Sequence, residues 1–167
     1  LQAELNDKVY FDYGDFGYHL FGVFKGIALQ LNESEALLEF IDSWILKLTG
    51  EYDNYTRDFL QKEKIEFLQQ SGKVADAEKL VQQNMDIVDV RANVVDKAIR
   101  KKDFATAKKL IAEGITIAKD KDHPGTVEQW KKELLRIAIL KKDTGATRKY
   151  TKYFAFSNGF SAEYYKQ

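Results

Sequence analysis

Cysteine is absent from this sequence of 167 residues. Disulfides, thiolate zinc sites and cysteine nucleophiles are excluded together. A chain without cysteine suits a reducing compartment, so the expected location is cytoplasmic. Proline occurs once and glycine ten times, which leaves little room for a long disordered linker. No apolar run approaches the ~20 residues of a membrane span, so no membrane partner is expected. The opening residues Leu1-Gln2-Ala3-Glu4-Leu5 show neither an initiator methionine nor a secretory leader, which points to a piece of a longer protein. Only two histidines occur, His19 and His123, and neither sits in an HExxH or similar ligand spacing, so no metal is expected. No Gly-x-Ser-x-Gly and no glycine-rich loop after a strand is present, so hydrolase and phosphate-loop chemistry lack their motifs. Carboxylate pairs such as Glu33/Glu35 and Asp86/Asp89 fall where helix starts and solvated faces use acids anyway. The expectation is a protein with no catalytic residue and no cofactor, hence not an enzyme.

What is present is a soluble, helix-forming composition, 44% apolar and 31% charged. The length fits one domain able to bury a substantial core. Lysine and arginine balance aspartate and glutamate at 26 each, but unevenly along the chain. Residues 1–60 hold 4 basic and 11 acidic side chains, residues 61–100 hold 7 and 7, and residues 101–167 hold 15 and 8. An acidic head and a basic tail make an end-to-end dipole, and self-association of head with tail is one consequence.

The segment Val90–Asp120 organises the chain. Val90, Val94, Val95, Ala98 and Ile99 recur at three-four spacing, then Phe104, Ala107, Leu110, Ile111, Ile115 and Ala118 do the same. Each set is one buried helix face. Between them Arg100-Lys101-Lys102 suits a helix C-terminus and Asp103 an N-cap, which predicts two antiparallel helices joined by a tight turn. The punctuation recurs 30 residues earlier, from Gly72 to Leu80, and 40 later, from Lys142 to Tyr150. In each copy a break precedes small residues, here Ala77, Ala107 and Thr147, which let helices approach closely. A period of 30 to 40 residues is that of helical solenoids.

The run Asp103-Phe104-x-x-Ala107, with Gly114-Ile115 seven residues after the alanine, resembles the second helix of a tetratricopeptide repeat. The first-helix positions that usually hold Trp and Gly are otherwise occupied, and the spacing departs from a constant 34. The run from Glu113-Gly114-Ile115 through His123-Pro124-Gly125-Thr126-Val127-x-x-Trp130-x-x-x-Leu134-Leu135 is similar to the helical region that follows the zinc finger in some bacterial SWIM-type proteins. That finger's cysteines are absent here, so the likeness implies nothing about metal or nucleic acid. Both resemblances imply a scaffold, in the second case a bacterial one.

The fold class expected is all-α: an array of antiparallel hairpins, a TPR-like α-solenoid of seven to nine helices. It forms a single domain over 1–167, with a helical pair in 1–50 and repeat hairpins in 51–167. Helix 1 runs from an Asp15 cap to Leu31, with Phe16, Leu20, Val23, Phe24, Ile27 and Leu31 inward and Phe21 and Ala28 at the margin. Gly17, Gly22 and Gly26 weaken that helix unless another helix, from this chain or a second, comes close. Asn32 to Glu35 reads as a capping box for helix 2, which Gly50 ends in a left-handed stop. Helix 3, about Asp53–Gln70, buries Tyr55, Phe59, Leu60 and Phe67, and Gly72 closes it. Helix 4 covers Val74–Asn84. Pro124 opens helix 7, with Val127, Trp130, Leu134, Leu135, Ile137, Ala138 and Leu140 inward. Helix 8 spans Asp143 or Thr144 to about Phe156, and Ser161 starts a ninth.

The expected function is a non-enzymatic helical-repeat scaffold for protein–protein interaction, with nucleic-acid association through the basic C-terminal third as the alternative. Lys101, Lys102, Lys108, Lys109, Lys131, Lys132, Arg148 and Lys149 are the candidate contacts to a partner or to phosphates, because they recur near turns and first turns where stacking aligns them on one edge. Aromatic residues crowd both ends of the sequence, and Tyr10, Tyr13, Tyr153 and Tyr164 are candidates for an interface.

Overall fold

The computed structural model describes residues 16–157. These form eight α-helices and one 3-10 turn, with no β-strand among the described residues. The helices are α1 Phe16–Leu31, α2 Ser34–Lys47, α3 Asn54–Gln70, α4 Val74–Gln83, α5 Val88–Arg100, α6 Phe104–Asp120, α7 Pro124–Leu140 and α8 Thr144–Phe156, with the 3-10 turn Glu51–Asp53 before α3. No helix among them is long and apolar enough to cross a membrane. The Asp15 cap and the ninth helix at Ser161 lie outside the described residues. The chain groups into two compact units, Leu1–Met85 and Asp86–Gln167, so the boundary falls inside the run that periodicity reads as continuous hairpins.

One device ends five of the helices. The amide of Glu33 donates to the carbonyl of Ala28 at 2.9 Å, Lys73 to Leu68 at 2.8 Å, Asp103 to Ala98 at 2.9 Å, His123 to Ala118 at 2.8 Å and Asp143 to Ala138 at 2.9 Å. The residue before each donor is left-handed: Asn32, Gly72, Lys102, Asp122 and Lys142. This Schellman closure satisfies the orphan carbonyls of the last turn and reverses the chain within three residues. Helices joined so tightly and packed on each other run antiparallel. Ala77, Ala107 and Thr147 occupy one register position, their amides donating to Lys73, Asp103 and Asp143 in the first turn of the second helix. Ala77 and Ala107 are fully buried there and Thr147 half-buried.

In the first unit α1 packs on both α2 and α3, and α4 packs on α3. Its core is aromatic. Phe21 meets Phe40 and Phe59, Phe24 meets Phe40 edge-on at 5.5 Å, and Tyr18 meets Phe59 edge-on at 4.6 Å. Such pairs add roughly 0.5–1.5 kcal/mol each to the burial of their area. This cluster corrects part of the expected inward face of α1: Leu20 and Phe24 pack on the core as expected, beside Phe21 and Ala28, but the rest of the stripe does not. Gly17, Phe21 and Ala28 are the buried side, whereas Phe16, Val23, Ile27 and Leu31 face outward, Val23 at 53% and Leu31 at 67% exposure. Both faces of α1 are apolar, so periodicity carries no preference. The aromatic surface of Phe40 and Phe59 selects the side bearing Phe21 and Phe24. Lys25 is drawn inward by Glu63 and Glu66 of α3.

Three further expectations are corrected here. Asn32 does not open a capping box; it takes the left-handed position that ends α1, and the N-cap residue of α2 is Glu33, without a side-chain bond. Gly50 is extended rather than left-handed, and its amide donates to the Asp53 carboxylate at 2.8 Å. The guanidinium of Arg57 instead satisfies the end of α2 by donating to the Leu48 carbonyl. Tyr55 is 74% exposed, with only an edge-on contact to the Tyr18 ring of α1.

In the second unit each helix packs on the next, α5 on α6, α6 on α7 and α7 on α8. Val95, Ala98 and Ile99 of α5, Ala107 and Ile111 of α6, and Trp130 and Ile137 of α7 form one core. Gly114 of α6 sits at its tightest point. A Cβ added there would lie 2.8 Å from the Trp130 ring and 3.0 Å from Cδ of Arg91, so only glycine fits. Pro124 stands at the first position of α7 as expected. Leu140, expected inward, is exposed at the last turn of α7, past the reach of α6 and α8.

Candidate functional site

The second unit has two ends, set by its turns. The α5–α6 turn, with Lys101 and Lys102, and the α7–α8 turn, with Lys141 and Lys142, lie at one end; the α6–α7 turn lies at the other. An ion pair between the late turns of α5 and α7, Arg136 with Asp96 at 3.0 Å, holds the two C-termini side by side. α6 and α8 start at the same end and carry Lys108, Lys109, Arg148 and Lys149 in their second turns. Six of the eight basic residues singled out by spacing therefore converge: Lys101, Lys102, Lys108, Lys109, Arg148 and Lys149. All six are exposed, and none has a carboxylate partner among the described residues.

The acids at this end are already engaged. Asp103 accepts from the Thr106 amide at 3.1 Å, and Asp143 from the Ala146 amide at 2.9 Å, each capping its helix. The Thr106 hydroxyl and then its backbone amide hold the Asp103 carboxyl below its ordinary value. Asp96 is shared by Arg100 at 2.7 Å and Arg136 at 3.0 Å. Donating to Asp96 and also to Glu133, at 3.1 Å, raises the already high pKa of Arg136. The result is a surface of exposed cations whose local countercharges are spent on helix ends and on two arginines. It can attract anions and offers no acid–base pair.

Lys131 and Lys132 do not join this end. They sit midway along α7, where Lys131 Nζ lies 3.8 Å from the centre of the Tyr153 ring and Lys132 reaches Glu128 at 3.9 Å. Tyr153 is thereby tied to Lys131 and, edge-on, to Phe154 at 5.1 Å. Tyr10, Tyr13 and Tyr164 lie outside the described residues. Neither His19 nor His123 gathers acids around it: no group of three metal-ligating side chains occurs among the described residues. His123 is the N-cap residue of α7 but forms no side-chain cap bond.

Spacing gave no notice of Arg91. It is 5% exposed on the inner side of α5 and donates to the Leu110 carbonyl at 3.1 Å and to Glu113 at 3.0 Å. The one clue is its place, a cation one step after Val90 and four before Val95 on the buried face. Lys141 and Lys142 belong with the converging set, at the same turn position as Lys101 and Lys102.

The chain matches no family model, no curated protein and no solved structure.

Proposed function

We propose that this chain is a non-enzymatic helical-repeat module whose work is to bind another protein. The observation that carries the reading is the outward face of α1. Phe16, Val23, Ile27 and Leu31 share that face, with only His19 and Gln30 as polar neighbours and no charge. Water-exposed apolar residues aligned along four helical turns are what an amphipathic partner helix covers. Gly22 and Gly26 flank the stripe with open space beside them, so a second helix can come close to the α1 backbone. The hairpins support the same reading. Three of them repeat one turn and one register, as a TPR-like α-solenoid requires, and the tetratricopeptide and SWIM-associated resemblances lie in the same residues. The absence of cysteine favours a cytoplasmic setting.

The test places a photo-crosslinking amino acid at Val23 of this chain expressed in cells, with Gln82 on α4 as the control position. A defined protein captured from position 23, and lost when Ile27 and Leu31 are changed to glutamate, supports the reading. No adduct, or the same adducts from both positions, overturns it.

A further inference from the structure

We propose that the turn end of the second unit is a docking surface for the phosphate backbone of a nucleic-acid duplex. It is a different surface from the apolar face of α1 and stands independently of the protein-binding reading.

The cations recur in register. Lys101 and Lys102 stand in the α5–α6 turn and Lys141 and Lys142 in the α7–α8 turn, 40 residues on, with the two turns held at the same end by the Arg136–Asp96 pair. Asp103 and Asp143, the acids nearest to them, give their oxygens to the first amides of α6 and α8. The lysines are thus left to an outside anion.

Backbone strain points the same way. Lys102 and Lys142 occupy the left-handed residue of their turns, with φ of 60° and 55°. Glycine takes that conformation freely and does so at the matching position of the α3–α4 turn, Gly72, with φ of 79°. Asparagine and aspartate, as at Asn32 and Asp122, tolerate it through their short polar side chains. Lysine has no such compensation. A strained residue kept twice at the same place is best accounted for by what its side chain does.

The arrangement favours a linear polyanion over a bilayer. Binding at a lipid surface is aided by apolar groups that insert, and Ile139 and Leu140 are exposed beside Lys141. Their counterparts in the other hairpin, though, are the buried Ile99 and the charged Arg100, so the apolar pair does not recur while the cations do. Among the described residues this end presents no exposed aromatic platform for unpaired bases: Phe104 and Tyr150 are half-buried in the helix packing. Recognition then falls on phosphates, regardless of sequence, and on the strand arrangement with the higher charge density.

The experiment measures fluorescence anisotropy of a labelled 25-base-pair duplex of arbitrary sequence, titrated with the 167-residue chain at about 50 and about 200 mM salt. For about six phosphate contacts the affinity falls about a thousandfold over that interval. Changing Lys102 and Lys142 together to glycine lowers the salt slope by about two while leaving the melting temperature unchanged or higher, which separates loss of contact from loss of fold. Reversing Lys101, Lys102, Lys141 and Lys142 to glutamate abolishes binding, and reversing Lys119 and Lys121 at the opposite end leaves it intact. No binding at low salt, an unchanged slope in the glycine variant, or tighter binding to single strands overturns the proposal. Preferential binding to phosphatidylserine-containing vesicles or to polyglutamate overturns it as well.

Discussion

Hairpins α5–α6 and α7–α8 are built on one plan, offset by 40 residues, and differ in the chemistry that pins each together. Their turns close with the same bonds, Asp103 to Ala98 and Asp143 to Ala138, both at 2.9 Å. From the first helix of each, a cation reaches a residue 22 positions on. In the first hairpin it is Arg91 with Glu113, buried at one end; in the second it is Lys131 over the ring of Tyr153. The matching position in the α3–α4 hairpin, 30 residues before Arg91, holds Gln61. The position thus keeps polar character while the partner changes. The geometry of the hairpin is set by its turn and its small residues, and the cross-helix pin is free to vary. Burial differs for another reason. Ile99 is 4% exposed because α6 and α7 cover it, whereas its counterpart Ile139 is 50% exposed.

The comparison breaks most sharply at Trp130, which the first hairpin uses as the floor for Gly114. Trp130→Ala is expected to destabilise by about 3–5 kcal/mol, because a large cavity opens where α6 and α7 meet. Gly114→Ala acts from the other side. Its new methyl meets the indole ring and the Arg91 stem, with an expected loss of about 1–3 kcal/mol from overpacking. Combining the two restores part of the loss, since the alanine at 130 makes room for the methyl at 114. Urea unfolding midpoints of the two single variants and the double variant check all three statements. Simple additivity would mean that the two residues do not share one contact.

Arg91 and Lys131 sharpen the comparison at a smaller scale. Arg91→Ala removes bonds from a buried guanidinium and leaves a void, for an expected loss of about 2 kcal/mol. Arg91→Met keeps the stem against Gly114 and, with Glu113 half exposed and able to turn to water, recovers more than half of that loss. Lys131→Ala forfeits a cation–π contact at a partly exposed site and is expected to lose about 0.5–1 kcal/mol. Equal losses for the two alanine variants in urea unfolding would show that the pins are energetically alike despite their chemistry.

How much of this was readable in advance depended on whether a residue's role is local. The turns are local. Lys101-Lys102-Asp103, Lys141-Lys142-Asp143, Gly72 and Pro124 each mark a helix end by conformation or capping, and each stands where its spacing puts it. The orientation of α1 is not local. With Phe16, Val23, Ile27 and Leu31 on one side and Phe21, Phe24 and Ala28 on the other, either face makes a good stripe, and only the rings of Phe40 and Phe59 decide. Arg91 was hidden for a related reason: a cation on a helix reads as solvent-facing until the carbonyl of Leu110 and the gap over Gly114 are known. The basic end was half visible. The pairs of lysines could be counted, but their meeting at one end, and the exclusion of Lys131 and Lys132 from it, follow from the direction of each helix.

The smallest effect concerns the Asp103 cap, and pH separates it from packing. Asp103 is held below its ordinary value of 3.8 in the folded chain, first by the Thr106 hydroxyl and then by the Thr106 amide. The folded state therefore binds this proton less readily than the unfolded state does. The stability that follows is fully present above about pH 4, where the unfolded carboxyl is also ionised, and is lost as pH falls through the folded value. Asp103→Asn keeps an acceptor for the Thr106 amide but carries no charge. Its melting temperature is expected to lie slightly below that of the parent chain from pH 6 down to about 4. The two curves should converge on further acidification, because the parent then loses the ionised carboxylate that distinguished it. A gap that persists unchanged to pH 2.5 would assign the difference to the geometry of the asparagine cap rather than to charge.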